Sequence, residues 1–222
     1  MKTKSILAIS LVFNLIVLGL LYRSKKDKPT TAPSEKEEVL HDNKGIEVSQ
    51  VNIVMLGNSI TYQGDWQQLL QRKDVFNGGH PGWTSQQLSW VIKNYIVPHK
   101  PKICFFKAGT NDISLGIPTE RVIYNMKMVM DSIYRQGTIP VFTPTIYFNN
   151  DTIHKPKIDS INSAMKDFCK TQDFEFMDIR KVICSDQATM DRFYKDDDTH
   201  LKPEAYGPWS AMVAAILKKN GI

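Results

Sequence analysis

The run Val51-Asn52-Ile53-Val54-Met55-Leu56 stops abruptly at Gly57-Asn58-Ser59-Ile60-Thr61, and this junction constrains the fold more than any other stretch of the chain. An apolar run of about six residues rich in Val and Ile, closed by Gly and small polar residues, predicts a buried parallel strand that breaks into a tight turn. Ser59 then stands at the carboxyl end of that strand, the edge at which open α/β sheets place their ligands. Two roles are open to it there, nucleophile or N-cap of the next helix, and this stretch alone favours the cap.

The rest of the chain repeats the pattern. Trp66 to Gln71 is predicted as a helix, and Val75-Phe76-Asn77 as a short second strand ending in Gly78-Gly79-His80-Pro81-Gly82. Helical spacing of Leu88, Val91, Ile92, Tyr95 and Ile96 predicts a helix from Thr84 to Val97. A third strand covers Lys102 to Lys107 and ends in Ala108-Gly109-Thr110-Asn111-Asp112. A long helix from Pro118 to Gln136, with Pro at its start and Gly137 beyond its end, precedes a fourth strand at Ile139 to Phe142. Ile158 to Thr171 reads as helix, Phe174 to Met177 as the fifth strand, and Pro203 to Lys219 as the last helix. Such alternation predicts a five-stranded parallel sheet covered by helices on both faces.

Before this domain lies a different kind of sequence. Residues 6–22 are almost wholly apolar, follow Lys2 and Lys4, and are long enough to span roughly 25 Å as a helix. They are expected to act as a signal peptide or membrane anchor within residues 1–22. The anchor is favoured, because bulky Leu20, Leu21 and Tyr22 leave no small-residue cleavage site. Residues 23–47 form a polar linker, and 48–222 the folded domain. The formal net charge is +5, and six basic residues against Asp27 within the first 28 residues supply all of it. The remainder is neutral, which excludes a basic nucleic-acid-binding face as the basis of function. Arg23, Lys25, Lys26 and Lys28 after the apolar run argue for a cytoplasmic domain, and the secretory character of the first 22 residues for export. Export is the expectation, with the domain at the cell envelope, periplasmic or extracellular. Cys104 is expected to be an inert buried thiol, while a Cys169–Cys184 disulfide stays open.

In a parallel sheet all strand carboxyl ends share one edge, so Ser59, Gly79 to Gly82, Asn111, and Asp197 with His200 meet there. Acyl transfer by serine needs a nucleophile, a base, a group that orients the base, and donors for the developing oxyanion. The set holds one candidate for each. Asp197 stands three residues before His200, so on a turn the carboxylate can take the Nδ1 proton and leave Nε2 to face the serine. The alternative for Asp196, Asp197 and Asp198 is a solvated acidic turn or weak cation site. Gly82 can present its N–H without side-chain obstruction. Gly78 and Gly79 read as turn residues, Asn111 as a donor or a cap, and His80 and Trp83 as loop surface able to line a pocket. The Gly-x-Ser-x-Gly elbow of α/β-hydrolases is absent, because Thr61 occupies its last position.

Four blocks in order, GNSIT, NGGHPGWTS, GTND and DDTH, resemble those of the GDSL esterases and lipases, the SGNH hydrolase superfamily. The resemblance covers about residues 51 to 220. It implies a flavodoxin-like three-layer α/β/α sandwich, no metal or organic cofactor, and Ser59 as nucleophile. It further implies an oxyanion hole of the Ser59 and Gly82 N–H groups with the Asn111 side chain, His200 as general base and Asp197 as its partner. GTNDISLGIPTE is similar to the acetylhydrolase branch that includes carbohydrate acetylesterases. Two positions depart from the family pattern: Asn58 replaces the Asp of the usual GDS, and Pro81 precedes Gly82.

The expected activity is therefore hydrolysis of short-chain O-esters, acetyl first, on a carbohydrate or other polar envelope substrate. The expected partner is that small ester or acetylated carbohydrate, with no nucleic acid, and membrane contact only through residues 6–22. A non-catalytic glycan-binding protein and an O-acyltransferase on the same fold remain the alternatives.

Overall fold

The computed structural model describes residues 50–222. The apolar segment at 6–22 and the linker at 23–47 lie outside the described residues. Among the described residues no helix is long and apolar enough to cross a membrane.

Five parallel strands form one sheet: β1 (Ile53–Asn58), β2 (Val75–His80), β3 (Ile103–Lys107), β4 (Ile139–Phe142) and β5 (Glu175–Phe176), in the order β2-β1-β3-β4-β5. This is the flavodoxin-like order, with β1 at the switch point between a strand on each side. Register places Gly57 opposite Gly79 and Lys107, and Asn58 opposite His80.

Strand alternation divides the core in two. Val54, Leu56, Cys104, Phe106 and Phe142 face one layer, while Ile53, Met55, Ile103, Phe105 and Val141 face the other. All ten are at most 1% exposed, and burying a side chain of this size is worth about 1.5–3 kcal/mol. Full burial on both faces explains why β1 reads as an unbroken apolar run rather than an alternating one.

The first layer includes α3 (Ser85–Trp90), α4 (Ile92–Tyr95), α6 (Thr119–Arg135) and α7 (Lys155–Gln172). Buried Val122, Met126, Val129, Met130 and Ile133 recur on one side of α6 at helical spacing. The second layer includes α2 (Trp66–Leu70), α8 (Arg180–Ile183), α9 (Gln187–Phe193) and α10 (Tyr206–Lys219), the last preceded by a 3₁₀ turn at Pro203–Ala205. Trp66, Tyr206 and Trp209 pack together here, with Trp66 edge-on to Trp209 at 4.8 Å between ring centroids. Two short helices, α1 (Ser59–Tyr62) and α5 (Thr110–Ser114), begin at the carboxyl edge of the sheet.

Several expectations are corrected. The helix expected from Thr84 to Val97 is two helices that meet at Val91. Gly78 and Gly79 are strand residues rather than turn residues, since β2 continues through His80. A Cβ on Gly79 would lie 2.3 Å from the Tyr62 backbone nitrogen, so glycine there admits the returning chain of α1. The Cys169–Cys184 pairing, which the sequence leaves open, is not made: all three cysteines are free thiols.

Candidate active site

β1 turns into α1 with no intervening residue. The cap that stops the strand is Asn58, not Ser59: its Oδ1 accepts the Ile60 N–H at 3.1 Å, and Ser59 is the first residue of α1. Position 58 is thus a capping position, which Asn fills here in place of the family's Asp. Asn and Asp cap about equally well, but Asn58 is fully buried, where an amide avoids burying a charge. Its Nδ2 has no partner among the described residues. Gly57 has no room for a side chain, since a Cβ would lie 2.8 Å from the Lys107 carbonyl oxygen and closer still to Thr61 Oγ1. Tyr206 OH donates to the Ile60 carbonyl and Trp66 Nε1 to that of Thr61, both at 2.8 Å, so the second layer holds α1 in place.

A turn between α9 and α10 supplies the next two groups. Lys195 N–H donates to the His200 carbonyl at 2.8 Å, and Asp198 sits in the left-handed region at φ 56°. Asp197 Oδ1 accepts the N–H groups of Thr199 and His200 at 3.0 and 2.8 Å. Its Oδ2 lies 2.6 Å from His200 Nδ1, and His200 Nε2 lies 2.9 Å from Ser59 Oγ. With Nδ1–H donated to the carboxylate, Nε2 is left to accept the serine proton. Partial burial pushes the Asp197 carboxyl upward, but hydrogen bonds from the His200 backbone and ring and from Thr199 N–H outweigh it and bring its pKa to about 2. Asp197 therefore stays ionised beside the imidazole at neutral pH.

The turn has a brace that the sequence did not reveal. Asn149, in the loop after β4, donates its N–H to the Asp198 carbonyl at 2.8 Å and its Nδ2 to Asp198 Oδ1 at 3.1 Å. Gln187 Nε2 in turn donates to Asn149 Oδ1 at 2.8 Å. The aspartate beside the one bonded to His200 thus fastens the turn to a neighbouring loop.

β1 lies between β2 and β3, so the loops after those two strands flank Ser59 on either side. Gly82 follows β2 with φ 78°, and a Cβ there would meet nothing within 4 Å, so backbone conformation rather than crowding calls for glycine. Asn111 is the second residue of α5, and its Nδ2 donates to the Trp83 carbonyl at 2.8 Å. An amide has two N–H groups, so this bond ties the two loops together and leaves one to offer. His80 and Trp83 are not simple loop surface. His80 is buried, stacks on Trp83 with ring centroids 3.9 Å apart, and bonds Tyr95 OH through Nε2 at 2.9 Å. Burial pulls its pKa down to about 4.

Sequence-predicted Ser59, His200 and Asp197 thus form one hydrogen-bonded chain, and Gly82 and Asn111 lie on two linked loops at the same edge. Two cavities lie elsewhere. One of about 300 Å³ is lined by residues including Tyr62, Trp66 and Asn77, and one of about 440 Å³ lies by Gly137, Thr138 and Phe174. Neither is lined by Ser59 or His200. No cluster of three or more His, Cys, Asp or Glu side chains able to hold a metal occurs among the described residues.

A family model described as GDSL-like lipase/acylhydrolase matches residues 55–207. No curated protein matches the chain by sequence. Among solved structures, the chain is similar to a GDSL-like lipase of Bacteroides thetaiotaomicron, at 16% identity over 84% of this chain and 98% of that one, TM-score 0.71. It is also similar to a lipase/acylhydrolase of Enterococcus faecalis, at 20% identity over 77% and 96%, TM-score 0.66. A psychrotrophic esterase of Pseudoalteromonas shares 16% identity over 75% and 96%, TM-score 0.62. At these identities the likeness is one of fold.

Proposed function

The chain belongs to the GDSL-like lipase/acylhydrolase family, a family of carboxylic ester hydrolases, and we propose that it cleaves short acyl esters, acetyl first, through an acyl-enzyme on Ser59. One observation carries the reading: His200 Nε2 stands 2.9 Å from Ser59 Oγ while Asp197 holds Nδ1. Ser59 Oγ attacks the ester carbonyl as Nε2 takes its proton. The negative charge on the carbonyl oxygen is met by the N–H groups of Ser59 and Gly82 and by the second N–H of Asn111. The oxygen leaving group departs with the proton from His200. Water, deprotonated by the same imidazole, then releases the acid and restores Ser59.

The preference for short acyl groups and a polar leaving group rests on the openness of the site. The His200 and Asp197 side chains are 28% and 50% exposed. An O-acetylated carbohydrate of the cell envelope is the proposed substrate. Export, with anchoring through residues 6–22, belongs to the same proposal, and fractionation of the full chain against one starting at residue 48 tests it.

Ser59→Ala decides the reaction. With p-nitrophenyl acetate, the variant is expected to lose hydrolysis to background, and wild-type turnover in it would end the proposal. The Pseudoalteromonas esterase has a structure inhibited by monoethylphosphonate. A reactive ethylphosphonate is expected to add mass to this chain at Ser59 and to leave Ser59→Ala unmodified. Acetylated sugars and esters of increasing chain length, compared by kcat/KM, then test the substrate class.

A further inference from the structure

Asp112 takes no part in the reaction just described, yet it is fully buried, and no cation pairs with it among the described residues. Its carboxyl group is committed to one partner. Oδ1 and Oδ2 accept the Ser85 N–H at 3.1 and 2.9 Å, and Oδ1 accepts the Ser85 hydroxyl at 2.5 Å. Asn125 Nδ2, from α6, donates to the same hydroxyl at 3.2 Å. A buried acceptor with this many donors is costly to disturb, because each group left unpaired costs about 1–3 kcal/mol.

What Asp112 grips gives it meaning. Ser85 is the first residue of α3, and the helix start is already closed by a capping box between Thr84 and Gln87. The box leaves the buried Ser85 N–H without an acceptor, and Asp112 supplies one from outside the helix. It adds a tie between the α3 start and α5. Its neighbour Asn111 makes the parallel tie, from Nδ2 to the Trp83 carbonyl at 2.8 Å. Two consecutive residues after β3 thus hold positions 83 and 85 after β2, immediately beyond Gly82. The proposed oxyanion donors on those two loops become parts of one body braced from α6.

We propose that Asp112 is a positioning residue for the oxyanion hole, setting the Gly82 N–H and the Asn111 amide relative to each other through Ser85. The inference rests on the serine-esterase reading. Donors of this kind act only within about half an ångström of their place, and a displacement of about 1 Å costs on the order of a hundredfold. Asp112→Asn keeps the size of the side chain but has one acceptor oxygen instead of two, so with that oxygen kept on the Ser85 hydroxyl an N–H donor faces the Ser85 N–H that Oδ2 accepts at 2.9 Å. Ser85→Ala removes the hydroxyl arm and keeps the N–H.

The test uses the full chain with p-nitrophenyl acetate, measuring kcat, KM and thermal midpoint for Asp112→Asn and Ser85→Ala, each alone and combined with Asn111→Ala. Asp112→Asn is expected to lower kcat about tenfold or more with KM within about twofold. In the Asn111→Ala background the same change should cost several-fold less, since a donor it positions is already gone. Ser85→Ala should show the same pattern at about threefold, and it decides the matter if Asp112→Asn does not fold. A kcat per folded molecule equal to wild type, or a loss undiminished in the Asn111→Ala background, overturns the inference. Ser59→Ala run in parallel separates the two levels. Hydrolysis persisting there removes the reaction itself, whereas an inactive Ser59→Ala beside fully active Asp112→Asn and Ser85→Ala removes only the role of Asp112.

Discussion

The chain contains two Asp-x-x-His turns built in nearly the same way. In Asp197-Asp198-Thr199-His200 one carboxylate oxygen accepts the two following N–H groups at 3.0 and 2.8 Å, and the other lies 2.6 Å from Nδ1. In Asp151-Thr152-Ile153-His154 the corresponding distances are 2.7, 3.2 and 2.5 Å. Local chain geometry alone is therefore enough to hold an imidazole against a carboxylate three residues earlier. The two diverge at Nε2. That of His200 meets Ser59 Oγ, 141 residues away in sequence, whereas no side chain among the described residues hydrogen-bonds that of His154. His154 stands at the start of α7 with Phe148 edge-on to its ring. A motif makes the dyad, and the sheet topology makes one dyad into a candidate triad.

The sharpest way to break this comparison is to remove each imidazole. His200→Ala is expected to lower kcat on p-nitrophenyl acetate by on the order of ten-thousandfold or more. His154→Ala is expected to leave it within about twofold, since surface changes away from the site seldom matter more. Equal losses would mean that the turn at 151–154 belongs to the site. Next in size come the carboxylates. Asp197→Asn should cost roughly ten- to a hundredfold less than His200→Ala, because an orienting group matters less than the base it orients. Asp151→Asn should not change turnover. A larger loss for Asp197→Asn than for His200→Ala would mean that the two roles are misassigned.

The loop after β4 joins the two turns. It carries Asp151, and two residues earlier it carries Asn149, which braces Asp198 in the other turn. Asn149→Ala removes the side-chain arm of that brace and keeps the backbone bond. The expected result is a kcat loss of about tenfold with the dyad still intact, as for a misplaced but present base. Unchanged turnover would show that the turn holds its own geometry, as the turn at 151–154 does with no such brace from a second loop among the described residues.

How much of this was legible in the sequence follows from what each feature depends on. The five strands and the long helices could be read because their burial pattern is written in consecutive residues. α5, α8 and α9 are four to seven residues long, too short for a periodic pattern to emerge, and none was expected. The division of the predicted 84–97 helix at Val91 leaves the spacing of its apolar residues almost unchanged. Ser59 stands where the sequence places it, directly after β1, but the capping role that this stretch favoured for it belongs to Asn58. Spacing alone cannot separate His200 from His154, since both turns share it; Asp197 and His200 stood out because they follow the fifth strand, at the edge where Ser59 lies, and DDTH then matched the last of the four family blocks. Asn149 and Asp112 were invisible because what they hold lies 49 and 27 residues away in sequence.

The smallest expected effect tests whether the two turns are alike where they should be. Hydrogen bonds within each turn hold the Asp151 and Asp197 carboxyls below the ordinary carboxylate range despite the opposing effect of partial burial, to about 2 for Asp197. A carboxyl with a folded-state pKa below its unfolded value of 3.8 contributes stability above that value. The contribution is lost as pH falls, because the unfolded chain takes up the proton first. Between pH 3.8 and about 2, Asp197→Asn should therefore make stability less steeply dependent on pH, and Asp151→Asn should do likewise. Each effect should be only about a few tenths of a kcal/mol, since solvent screens both pairs. Denaturant midpoints at pH 5 and pH 3 measure it. Similar flattening in both variants, with turnover altered only by Asp197→Asn, would separate the stability of the turn from its use. Flattening in Asp197→Asn alone would mean that contact with Ser59, rather than the turn itself, sets the carboxylate's acidity.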